Sequence, residues 1–69
     1  MIPSIGAYAV DTRTDRVGQV MGHEGPYVQL RPPGGGREWD CPPDRLRRAA
    51  PRDELRARVM ELNRVSRLP

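Results

Sequence analysis

Few residues in this chain have the type and spacing that chemistry requires. His23-Glu24 is half of a His-Glu-x-x-His metal motif, which needs a second histidine one helical turn later. This sequence has one histidine and one cysteine, Cys41, so no zinc-ligand set and no intramolecular disulfide can form. Nucleophilic catalysis by Cys41 would need a base within hydrogen-bond reach and a setting that favours the thiolate. Strand alternation instead places Cys41 inside, beside Trp39. Glu38 and Asp40 stand on one face of the same predicted strand, about 7 Å apart by strand rise. Paired carboxylates at such a separation are used in glycoside chemistry, but only across a cleft that so small a chain has little material to build. Gly34-Gly35-Gly36 precedes a strand rather than a helix, and no Gly-Lys-Ser/Thr follows, so it reads as a hairpin and not a phosphate loop. No catalytic constellation, metal site or cofactor site is expected, and the chain is read as a non-enzyme.

Binding is the remaining class. The aromatics are Tyr8, Tyr27 and Trp39, and a stacking platform for nucleic acid wants two or three on one face among cations. Only Tyr27 is expected outside, on a strand face shared with Gln29 and Arg31. Arg45, Arg47 and Arg48, with Arg52 nearby, form the best basic cluster, flanked by Asp44 and Asp53. The pI near 10 invites a phosphate-binding reading. However, all twelve basic residues are arginine, a bias that GC-rich codon usage also produces. Residues 1–50 carry a net charge of +1 and residues 51–69 one of +2, so neither part is a strong polyanion surface.

The elements that must hold these residues are short. Ile5–Val10 reads as a strand, Asp11–Asp15 as a polar hairpin loop, and Arg16–Met21 as a strand whose Gly18 marks a bend. Gly22–Pro26 reads as a turn. Tyr27–Arg31 alternates with period two, setting Val28 and Leu30 against the core and Tyr27, Gln29 and Arg31 outside. Pro32-Pro33 ends that strand, because proline cannot donate to a ladder. In Arg37–Cys41 the acids Glu38 and Asp40 claim water, so Trp39 and Cys41 point inward. Pro42–Leu46 fits one helical turn with Leu46 plugging the core, before a fifth strand at Arg47–Ala49.

From Pro51 the period changes. Proline suits the first helical position, Asp53 and Glu54 suit the first turn, and Arg64 and Arg67 suit the last turns. The spacings of Asp53 with Arg56 and of Glu54 with Arg58 support an exposed helix. Leu55, Val59 and Leu62 fall within about 60° on a wheel of 100° per residue, with Val65 at the margin.

The predicted fold is mainly β: a five-stranded small barrel over about residues 5–50, within a 1–50 segment, and a C-terminal amphipathic helix over about 51–67, within 51–69, in the same domain. The order of five strands with a helical turn before the last, and the Gly6–Val10 then Val17-Gly18-Gln19-Val20 opening, resemble the SH3-like small barrels, including KOW, Tudor-like and PRC-barrel modules. That likeness implies a scaffold for protein or nucleic-acid contact. The stretch from His23 to Pro32, with Gly36 and Trp39, is similar over about twenty residues to MbtH-like proteins, which implies activation of an adenylation enzyme. Here Arg31 replaces that family's tryptophan, and its C-terminal Trp-Thr-Asp segment is missing. The chain also resembles short proteins of GC-rich actinobacteria, a likeness that implies no activity.

A chain of 69 residues buries only about 60% of its unfolded surface, so its core is thin and help from self-association or a partner is expected. The functional expectation is an adaptor that binds another protein or a second copy of itself through Leu55, Val59 and Leu62 or through Tyr27, Gln29 and Arg31. Self-association is the arrangement expected first. The rival is a nucleic-acid binder using Arg45, Arg47 and Arg48 with Tyr27. No leader or membrane-spanning run is visible, and one unpaired cysteine fits a cytoplasmic chain.

Overall fold

The computed structural model of the chain describes residues 3–66. Five strands, β1 (Tyr8–Asp11), β2 (Arg16–Glu24), β3 (Tyr27–Arg31), β4 (Trp39–Cys41) and β5 (Leu46–Arg48), precede the helix α1 (Pro51–Ser66). A 3₁₀ turn at Pro43–Arg45 leads into β5. All ladders are antiparallel, in one sheet of order β4-β3-β2-β1-β5. Arg67, expected in the last helical turn, lies outside the described residues, as do the side chains of Arg64 and Val65.

The strand boundaries differ from expectation at several places, β4 among them, which starts at Trp39 rather than Arg37. β1 starts at Tyr8, because the chain before it turns, with the Ala7 N–H donating to the Ser4 carbonyl and Gly6 at a φ of 93°. β2 runs on through Gly22, His23 and Glu24, which were expected in a turn. The hairpin shrinks to Gly25-Pro26, where Gly25 supplies the positive φ that a two-residue loop needs at its first position. The ladder between β2 and β3 shifts register between Val20 and Gly22, a bulge that lets β2 bend. β5 begins one residue early, at Leu46.

Register assigns the two faces. Ala9, Val20, Val28, Leu30 and Cys41 form a fully buried cluster on one face, with Trp39 and Leu46 packed against it, as alternation predicts for Val28, Leu30, Trp39 and Cys41. The helix lies on the other face, where Ala57 joins Val10 and Val17, with Tyr8 alongside. The first cluster therefore has no helix above it, and the sheet must curl to cover it. Trp39 shows the curl directly. Its Nε1–H donates to a carboxylate oxygen of Asp11 at 2.9 Å, although β3 and β2 lie between β4 and β1. In a flat sheet those strands would stand about 14 Å apart. The sheet nevertheless stays open, since no ladder joins β4 to β5 among the described residues.

Gly18 makes room for this curl. A Cβ built there would lie 2.8 Å from Trp39 Cη2 and 2.9 Å from Leu30 Cβ. Leu30 is fully buried and cannot retreat. Gly18→Ala should therefore cost about 1–3 kcal/mol by overpacking, read as a lower urea midpoint at unchanged slope. An unchanged midpoint would mean that Trp39 is not lodged over Gly18.

The helix seats through Ala57 and leaves the expected contact stripe outside. Its N-terminus is fixed by Asp53, whose carboxylate accepts the Ala50 N–H at 2.9 Å and pairs with Arg47 at 2.9 Å and Arg56 at 3.6 Å. The first contact is the reverse arm of a capping box. Only Ala49-Ala50 separates β5 from α1, so the Arg47–Asp53 pair also fixes the helix rotation. Small Ala57 then allows close approach to Val10 and Val17. Leu55, Val59 and Leu62 do not touch this seat, lying about 180° round the helix at 100° per residue.

Candidate functional site

His23 and Glu24 are exposed at the end of the β2–β3 hairpin, and Glu38 is exposed ahead of β4. No group of three or more His, Cys, Asp or Glu at metal-binding distance occurs among the described residues. Cys41 is buried, as its parity required, and donates to the Pro42 carbonyl at 3.4 Å. Burial, with the charge of Asp11 added, pushes its thiol up and holds it protonated.

The polar centre of the molecule is Asp11, which the sequence placed in a loop and the structure buries at 1% exposure. Its carboxylate accepts the Arg13 backbone N–H at 2.9 Å, Arg13 Nε at 3.1 Å, Arg13 Nη2 at 2.9 Å and Trp39 Nε1 at 2.9 Å. These donors, the Arg13 guanidinium foremost, hold its carboxyl well below the usual range. Arg13 also donates to the Asp40 carbonyl at 2.9 Å, and the Arg16 guanidinium lies 4.0 Å over the Trp39 ring. The carboxylate is saturated with donors and sealed by Trp39. It is a clasp between β1 and β4.

The arginines expected to act together are separated. Arg47 stands opposite Val10 and turns to the helix, where it pairs with Asp53; Arg48 stands opposite Ala9 and faces the other way. Arg45 sits in the 3₁₀ turn, its carbonyl taking the Thr12 N–H and hydroxyl. The trio therefore forms no single patch. Arg47 instead joins Arg52 and Arg56 around an open cleft of about 510 Å³ that Asp15 and Asp53 also line. Sequence offered no cue to this grouping, because Asp15 and Arg56 meet only through the fold.

Tyr27, Gln29 and Arg31 do share one face, with Tyr27 43% exposed and Arg31 donating to Gln19 at 3.3 Å. The aromatics do not converge on a platform. Tyr8 packs in the helix-side cluster, and Trp39 belongs to the opposite face. Comparison with known protein families, curated proteins and solved structures returns no match. The surface must therefore be read from its own chemistry.

Its most exposed large apolar alignment is on α1. Leu55, Val59 and Leu62 are 61%, 47% and 66% exposed. Arg52 and Arg58 are exposed beside them, and neither makes an ion pair among the described residues. Glu54 and Arg58, expected to pair, do not. No helix among the described residues is long and apolar enough to cross a membrane.

Proposed function

We propose that this chain is a non-catalytic interaction module that docks on another protein through the outer face of α1. The observation that carries this reading is the exposure of Leu55, Val59 and Leu62 on a helix whose opposite face is already seated on the sheet. The i, i+4, i+7 spacing is the anchor pattern of a helix laid against an apolar surface. The curled sheet supports an SH3-like small barrel as the scaffold that holds the helix out. A nucleic-acid role has less support, because Arg45, Arg47 and Arg48 are split between faces and Arg47 is neutralised by Asp53.

Val59→Asp tests the reading. Val59 is outside both core clusters, so the variant should fold with an unchanged circular dichroism spectrum. Burying such a side chain contributes about 1.5–3 kcal/mol, so losing it should weaken docking about tenfold to a hundredfold. The measurement compares wild-type and Val59→Asp chains as immobilised bait, with nuclease present. A stoichiometric protein partner held by the first and lost by the second is expected. Equal retention by both, or release by nuclease, would sink the proposal.

A further inference from the structure

We infer that the partner surface is an apolar seam rimmed by acidic side chains, rather than a second copy of this chain; this rests on the docking role of α1 proposed above. On a wheel of 100° per residue, Arg52 and Arg58 lie on opposite sides of the Leu55, Val59 and Leu62 stripe, each within about 70° of its centre. Glu54 and Glu61 lie more than about 100° away. With Leu55 and Leu62 as heptad d positions and Val59 as a, the e positions hold Arg56 and Asn63, and the g position of the same turn holds Arg58. The charged residues that frame the stripe are thus all arginine.

A second copy laid on this face brings arginine to arginine or to Asn63; Asp15 and Asp53 stand in the cleft beside Arg52 and Arg56, and Asp53 is already paired with Arg47 and Arg56. Charge at these flanking positions decides which partner a helix accepts. Arg52 and Arg58 carry no ion pair among the described residues, so a carboxylate arriving from outside displaces no existing one. An anionic lipid surface offers the same charge, but binding there scales with the apolar area buried, and a stripe of three side chains supplies little.

The test titrates the full chain with a labelled three-heptad helical peptide carrying leucine at a and d and glutamate at e and g. The comparison peptide carries lysine at e and g. Expected is binding of the glutamate peptide at least tenfold tighter than the lysine peptide, with the gap narrowing as salt rises. The double variant Arg52→Glu/Arg58→Glu should reverse the order, and Val59→Asp should abolish binding of both. Equal affinity for the two peptides overturns the acidic rim and leaves the docking face standing. Binding of neither peptide overturns the docking face itself. Chain dimers in light scattering that Val59→Asp dissociates, or binding to phosphatidylglycerol vesicles without binding to the glutamate peptide, overturn the inference in favour of the second copy or the membrane.

Discussion

Asp11→Ala should leave the protein largely unfolded in mild denaturant, at a cost of about 3 kcal/mol. The substitution removes the acceptor of four hydrogen bonds, from the Arg13 backbone, the Arg13 guanidinium and the Trp39 indole. Hydrogen bonds to a charged group contribute about 1.5–3 kcal/mol each, and a buried donor left alone costs more than one never placed there. The Arg13 side chain is 43% exposed and regains water, so its bonds return little and the total stays near that of one or two such bonds. Even so, 3 kcal/mol is a large share of the 5–15 kcal/mol typical of a domain.

The same carboxylate sets the acid limit. Its folded pKa lies below the unfolded value near 3.9, so its stabilisation is complete above about pH 4 and is lost as pH falls through the folded value. Asp53, held low by Arg47 and the Ala50 N–H, adds in the same direction. Urea midpoints measured from neutral to acid pH should fall below about pH 4 in the wild type and fall less in Asp11→Asn. Identical acid limbs would show that Asp11 is not the group responsible.

The second large effect is expected at Trp39, the other half of the clasp. Trp39→Ala removes the indole N–H, the seat of Arg16 and the wall over Gly18, and should cost about 3–5 kcal/mol. Trp39→Phe keeps most of the packing and loses the hydrogen bond to the carboxylate, a cost of about 1.5–3 kcal/mol. Because the two residues touch, Asp11→Ala and Trp39→Phe should not add: a double-mutant cycle should return a coupling of about 0.5–3 kcal/mol. Simple additivity would mean that the bond at 2.9 Å contributes nothing of its own.

Much of this architecture was legible in the sequence. Alternation in Tyr27–Arg31 fixed which residues are buried, the acids around Trp39 turned it and Cys41 inward, and Pro51 marked the change to helix. Asp11 was not legible. It sits against Thr-Arg-Thr-Asp, a run that reads as turn, and although Arg13 is close in sequence, the Trp39 donor that seals it is 28 residues away. The bulge near Met21 was equally hidden, since nothing in Val-Met-Gly forces an extra residue into the ladder. Periodicity found the apolar stripe of α1 and left open whether it meets the sheet or another surface. Hydrophobicity alone ranks Leu55, Val59 and Leu62 above Ala57, but a two-residue connection and the Arg47–Asp53 pair determine which side meets the sheet. Arg45, Arg47 and Arg48 failed as a patch for a related reason: neighbours on a strand point to opposite faces.

The open seam between β4 and β5 bears on how the protein survives at high concentration. Unpaired strand edges invite other chains to add to them, and long flat edges seed fibrils. Here each edge strand is three residues long. On β4 the Asp40 carbonyl is already taken by Arg13, and Pro42-Pro43 follows with no N–H to offer. On β5 the exposed Arg47 and Arg48 set a charged side chain on each face of the edge, which an incoming strand would have to accommodate. A sheet drawn together by side chains thus leaves its margins too short, too capped and too charged to recruit a neighbour.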